Sequence, residues 1–408
     1  MSQKIAATML LDRAVLDDPY PFYKRLQAEA PVWQVPGTPI FLITRYALLE
    51  EAVRRVEDFS SSLTGVLYRK RNGLPGRVTY QSGVIQVLAT ADPPIHTLHK
   101  TAVFSHFSAK RVAELKPEIE QLAITCVENA IAKGKVDFMG EIANPLPMRI
   151  VSDLVGFRES NTQKLLQAAF DSTAVVSGSS SIFQLGWYML RSYHIYRWIG
   201  SQLRSDAAEK PNILESIKHS IKDGTLSEIE GRVFLLLFLA AGGESTTSLL
   251  GSAVRILAAN PALQQTLREQ PALIPPFLEE VLRLESPFRF HLRSTNRDTV
   301  LGNVAIPAGA TVLLFWGAGN RDPETFKNPD DIDLTRPKKH MTFGRGIHTC
   351  IGAPLARLEA QTVLEVLLDR TEQIALDPND SPRWVESLQV RRYERLPIVL
   401  TPGRARTS

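Results

Sequence analysis

Cys350 sits where its neighbours give a sulfur work to do. The segment FGRGIHTCIGAPLARLE, residues 343–359, surrounds this cysteine with Gly344, Gly346 and Gly352, and an apolar helical pattern (Leu355, Leu358, Ala360, Val363, Leu364, Leu367) starts just after it. The glycines let the chain turn tightly around the sulfur. A helix start adds free N–H groups and a positive end, both of which stabilise a thiolate. An isolated cysteine is more often a small buried hydrophobe, and Cys126, on a helical face between Leu122 and Ala130, fits that inert description.

A second constellation is the run AGGESTT, Ala241 to Thr247, directly after the apolar stretch Val233 to Ala241. Two glycines inside a helix cost about 1 kcal/mol each relative to alanine, and a buried carboxylate costs several more unless satisfied. A packing contact with a polar pair at a kink would explain one such residue but not the whole run. Glycines admit a flat group to the backbone, a widened turn can host water, and adjacent acid and hydroxyl groups, Glu244, Ser245 and Thr246, can pass protons. No second cysteine or histidine cluster completes a tetrahedral zinc set. One thiolate on a metal whose other positions come from a cofactor, haem iron, is therefore the better match for Cys350.

The elements that must position these groups are mostly helical. Ser227 can cap a helix with Glu230 closing a capping box, and Asn260–Pro261 stops it, which predicts a helix of about 32 residues, roughly 48 Å long. Residues 19–60 predict helix, two short strands and helix. Helical periodicity recurs over 108–133, 145–156, 160–175 and 183–204. The expected fold is mainly α with a smaller β region (α+β), as one domain over 1–408, since no repeat or long linker interrupts the chain.

Composition excludes other classes. The 408 residues are 44% hydrophobic and 22% charged, which rules out disordered, collagenous and disulfide-scaffold chains. Lys plus Arg 47 against Asp plus Glu 43 leaves +4, too mild to imply nucleic acid. Two distant cysteines suit a reducing compartment. The N-terminus lacks a signal-type apolar core, and the longest apolar run is half the ~20 residues a membrane span needs, so a cytoplasmic protein without a span is expected.

With these motifs in place, the chain from about Asp17 to Leu400 resembles a cytochrome P450 of the soluble bacterial kind. Phe343, Gly344, Gly346, His348, Cys350 and Gly352 match the family's F-G-x-G-x-H-x-C-x-G. Glu280 and Arg283 match its E-x-x-R, and NRDPETFKNPDDIDLTR is similar to its meander, whose Arg336 would join them in a structural triad. Ala241, Gly242, Gly243, Glu244, Ser245 and Thr246 align with A-G-x-[D/E]-T-T, with Ser245 replacing the usual threonine. Serine keeps the hydroxyl but loses the methyl that restrains its rotamer. The resemblance implies that Cys350 is the iron ligand of haem b, that His96, Lys100, Arg293 and His348 meet its propionates, and that Glu244 and Ser245 relay protons during oxygen activation. Lys100 stands where the family usually has arginine, a point charge in place of a bidentate fork.

The implied activity is hydroxylation of a lipophilic small molecule of terpenoid, steroid, fatty-acid or aromatic type. Substrate contacts would come from Val87, Leu88, Phe170, Val175, Phe183, Leu239, Ala240, Phe288 and Phe290 and the turn near Leu388, with Arg289 and His291 reading a polar group. No G-x-G-x-x-G follows a strand and no flavin domain fits the length, so NAD(P)H acts only indirectly, through a ferredoxin and ferredoxin reductase. Lys338, Lys339, Arg345 and Arg357 would form the docking face of this monomer. Two other classes remain open: a haem-binding sensor or carrier without turnover, and a peroxide-driven haem-thiolate enzyme.

Overall fold

A computed structural model describes residues 5–79, 85–157, 160–206 and 211–403. The predicted long helix is present as Glu228–Ala258. Ser227 Oγ accepts from the Glu230 N–H, and the Ser227 N–H donates to the Glu230 carboxylate at 2.7 Å. By length and composition this helix could cross a membrane, but 67% of its apolar window is buried inside the protein, which makes it the core helix of the fold. It packs on the helices Pro145–Val155, Thr162–Val176 and Ile182–Leu203 on one side and on Ile274–Leu284 and Ala353–Arg370 on the other.

The N-terminal expectation of helix, strand, strand, helix is met by Tyr20–Glu29, Val32–Gln34, Ile40–Ile43 and Tyr46–Arg54. These two strands begin a five-stranded sheet. Ile40–Ile43 pairs in parallel with Thr311–Leu314, which pairs antiparallel with His291–Thr295, and Phe59–Ser60 closes the far edge. Alternation along His291–Thr295 sends Leu292 into the apolar core with Phe290, while His291 and Arg293 turn toward the cavity described below.

Among the elements that escaped the sequence patterns are the hairpin Gly65–Arg69/Pro75–Thr79 and the helix Ile95–Phe104. The latter was hidden because its inward face carries His96 and Lys100 in place of an apolar stripe.

The glycine pair in the long helix differs from expectation. The helix runs on as regular α through residues 241–247, with no widened turn. A Cβ on Gly242 would lie 2.8 Å from Val151 Cγ2, and one on Gly243 would lie 2.2 Å from Met148 Cε. The missing side chains therefore bring the Pro145–Val155 helix close, and the flat-group approach predicted for both glycines is corrected to a helix–helix contact at Gly243.

Candidate functional site

A cavity of about 250 Å³ lies between the long helix and the cysteine loop. The long helix contributes Leu237, Ala241, Ser245 and Leu249, with Phe238, Gly242 and Thr246 one residue on, a single stripe at helical spacing. Opposite lie Phe343, Gly344, His348, Cys350 and Gly352. Gly344 and Gly346 hold φ of +68° and +70°, the left-handed region that the turn around the sulfur requires. The Cys350 N–H donates to the Phe343 carbonyl at 2.8 Å, closing the loop. Gly352 adopts ordinary helical φ and ψ, and a Cβ there would stand in ordinary contact, 3.8 Å from the Cys350 sulfur, so neither backbone strain nor crowding demands a glycine at this position.

The Cys350 side chain opens onto the cavity while protein encloses it elsewhere. Burial pushes its thiol up, and the N–H groups of Gly352 and Ala353 and the Arg357 guanidinium pull the other way without overcoming it. The N–H groups at the helix end thus act in the expected direction, favouring the thiolate, while burial opposes them. Arg357 is itself engaged with Glu279 at 2.6 and 3.0 Å and lies over the Phe343 ring at 4.5 Å. With His340 also bonded to it, the Glu279 carboxyl is held down at about 2 against the opposing effect of its burial.

One rim of the cavity gathers His96, Lys100, Arg293 and His348 from three distant segments. The His96 and His348 rings are 4.3 Å apart, and Ser61 Oγ lies 2.8 Å from His348 Nε2. Burial and the neighbouring Arg293 push His348 down to about 3, and burial lowers Arg293 to about 10. Arg293 is buried and has no ion-pair partner among the described residues; it donates to the Leu292 carbonyl. Lys100 Nζ donates to the Ile347 carbonyl at 3.0 Å. A buried arginine without a carboxylate partner, with half-buried Lys100 on the same rim, calls for an anion from outside the chain. A single sulfur ligand, an apolar wall and this cationic rim fit a haem with two propionates.

Glu244 follows Gly243 but leaves the stripe. Its carboxylate accepts from Arg392 Nε at 2.6 Å and Thr173 Oγ1 at 2.9 Å, buried away from the cavity. Ser245 lines the cavity and donates to the Ala241 carbonyl at 2.6 Å. Glu280 and Arg283 form a buried bidentate pair at 2.8 and 2.9 Å, joined by Arg336 at 3.2 Å. Arg283 also donates to the carbonyls of Asn320, Pro329 and Asp331, which ties the meander to the Ile274–Leu284 helix.

Of the expected substrate contacts, Leu88, Phe288 and His291 line the cavity. The others do not. Leu239 and Ala240 fall off the stripe by helical phase, and Val87 turns into the core beside the outward Leu88. Phe170 lies under the Arg392 guanidinium at 3.8 Å, Val175 shares its helix away from the cavity, and Phe183 is 72% exposed on the outer surface. Phe290 and Leu388 are buried in the sheet core. Arg289 is buried away from the cavity and donates to the carbonyls of Leu16, Ser387 and Val390, so it ties the helix Arg13–Asp17 to the 387–390 loop.

The walls missed in sequence include Phe107, Val151, Leu237, Phe238, Trp316 and Glu359. Leu237 and Phe238 were recoverable by counting back four and three residues from Ala241. Trp316 Nε1 donates to His291 Nδ1 at 2.5 Å, a contact no sequence pattern announces. Burial raises the Glu359 carboxyl well above the usual range, and one of its oxygens has no partner among the described residues. On the expected docking face, Lys339 is exposed without a salt bridge among the described residues, Lys338 lies 3.9 Å from Glu279, and Arg345 lies 3.9 Å from Glu50.

Comparison with known proteins follows the same line. A model of the family described as Cytochrome P450 matches residues 200–389. The chain is similar to the Mycobacterium tuberculosis protein named Cytochrome P450 144, 37% identical over 390 residues, covering 94% of this chain and 89% of that protein. It is 32% identical over 400 residues to the M. tuberculosis protein named Beta-dihydromenaquinone-9 omega-hydroxylase, covering 96% of this chain and 78% of that one. The structure of cytochrome P450 CYP109Q5 from Chondromyces apiculatus matches with TM-score 0.81 at 29% identity, covering 97% of this chain and 98% of that one.

Proposed function

Because the chain belongs to the cytochrome P450 family of haem-thiolate monooxygenases, we propose that it hydroxylates a lipophilic small molecule, with electrons delivered by a separate ferredoxin and ferredoxin reductase. The observation that carries this is the facing of Cys350 and Ser245 across one apolar cavity with a cationic rim. Bound there, haem b ligated by a thiolate supplies dioxygen activation.

The chain's own residues supply the rest. Cys350 is presented by the Phe343 carbonyl bond and the N–H groups of Gly352 and Ala353. His96, Lys100, Arg293 and His348 hold the propionates. Leu237, Phe238, Phe288 and Leu88 exclude water and orient an apolar substrate. Ser245 offers its hydroxyl at the cavity wall. Glu244 passes a proton to it only after its carboxylate leaves Arg392 and Thr173, so the ion pair sets when the acid reaches the cavity side. Lys339 and its basic neighbours receive an acidic ferredoxin on the face behind the cysteine loop.

The relative named as a menaquinone hydroxylase lends weight to prenylated and other terpenoid substrates over small aromatics. The test is a screen of terpenoids, steroids, fatty acids and aromatics for a low-to-high-spin Soret shift in the ferric holoprotein. Hits are then turned over with a surrogate ferredoxin, reductase and NADPH. Substrate-dependent NADPH use with a hydroxylated product is expected. Binding with no turnover would point to a carrier, and product formed with peroxide alone to a peroxide-driven enzyme.

A further inference from the structure

The first three turns of the Ile182–Leu203 helix turn an apolar face to solvent. Ile182, Phe183, Trp187, Leu190 and Tyr193 recur at one-, three- and four-residue spacings, with Met189 at the edge. Phe183 is 72%, Trp187 56% and Leu190 59% exposed. The opposite face is ordinary core, with Leu185 and Ile199 buried. Large apolar side chains scattered singly need no explanation, but a contiguous stripe of this kind marks a contact surface.

The surroundings of the stripe select its partner. Ser181 caps the helix start with Gln184, and the Arg69 N–H donates to the Ser180 carbonyl at 2.8 Å, which fixes the hairpin Gly65–Arg69/Pro75–Thr79 beside it. A surface cleft of about 780 Å³ follows, lined by Arg13, Arg69, Lys70 and Arg71 against one carboxylate, Asp12, and by Ile182 and Phe183. Arg13 and Arg69 share Glu386. Lys70 and Arg71 are exposed with no carboxylate within salt-bridge distance among the described residues, and the Arg71 guanidinium lies 5.9 Å from the Phe183 ring centre. Arg197 extends the same exposed helix face one turn further.

Aromatic and aliphatic side chains flanked by unpaired cations are the composition of a surface that lies in the headgroup region of an anionic bilayer. A second copy is disfavoured, because a two-fold contact uses the same patch on both sides and would add the same unpaired cations without a complementary anion. We propose that this helix face and its basic cleft dock the protein on anionic phospholipid membranes, the apolar stripe entering the acyl boundary and Lys70 and Arg71 meeting lipid phosphates. The inference is independent of turnover.

The test is flotation of the purified holoprotein with vesicles of phosphatidylcholine alone or with one-third phosphatidylglycerol. Binding to the anionic vesicles is expected, weakened about tenfold by Trp187→Glu/Leu190→Glu and by Lys70→Glu/Arg71→Glu, and reduced by salt for the wild type. These sites are exposed, so circular dichroism and the Soret spectrum should be unchanged in the variants. Failure of the wild type to float with anionic vesicles would overturn the proposal, as would variants that bind as well as the wild type. A wild-type dimer that Trp187→Glu dissociates, with no vesicle binding, would assign the stripe to self-association instead.

Discussion

Ser245 and Glu244 are consecutive residues that face different parts of the molecule. One lines the cavity, while the other is held by Arg392 and Thr173. If the acid must be released to act, Glu244→Gln should keep haem loading and substrate-induced spin shift yet slow coupled turnover at least tenfold, and unchanged turnover would remove it from the relay. Ser245→Ala should leave binding intact and divert NADPH equivalents to peroxide, measured as the ratio of product to NADPH consumed. His291 makes a different prediction. Burial and Arg293 push it down to about 4, so between pH 6.5 and 4 the unfolded chain takes a proton that the folded chain refuses. The stability it contributes is present above pH 6.5 and lost as pH falls through that window, at most about 3 kcal/mol. Urea midpoints of the apoprotein should fall over that range, and those of His291→Phe should fall less. The cysteine loop was legible residue by residue because its chemistry is local. The destination of the Glu244 carboxylate was not, because Arg392 lies 148 positions away.

At the scale of elements, the long helix was readable from both ends, since Ser227, Glu230 and Pro261 act on their own turns. Its glycines were readable as exceptions but not as to what fills them. Gly243→Ala would set a Cβ 2.2 Å from Met148 Cε, the far end of a flexible side chain, so the cost of displacing it, set against alanine's helix preference, leaves a loss of at most about 1 kcal/mol. Thermal unfolding should show that loss, and Met148→Ala in the same chain should recover part of it; independent, additive losses would mean that the two side chains do not meet. The helix Ile95–Phe104 stayed hidden for a related reason, since a helix whose inward face carries His96, His99 and Lys100 lacks the apolar period that marks helices elsewhere.

Across the whole molecule, Arg283 joins the Ile274–Leu284 helix to three carbonyls of the meander while paired with buried Glu280. Arg283→Ala strands that carboxylate, so a loss of about 3–5 kcal/mol and poor haem retention are expected in unfolding and Soret measurements. Charge, length, the cysteine loop and the helix caps were settled by the sequence, because each depends on residues within a few positions of one another. Which apolar residues form the cavity wall was decided only by the fold. Helical phase excluded Leu239 and Ala240, strand alternation placed His291 and Arg293 inward, and Arg289 was claimed by backbone carbonyls from the remote helix Arg13–Asp17 and the 387–390 loop. Those outcomes depend on which surfaces meet, and contacts between segments hundreds of residues apart leave no periodic trace in either segment alone.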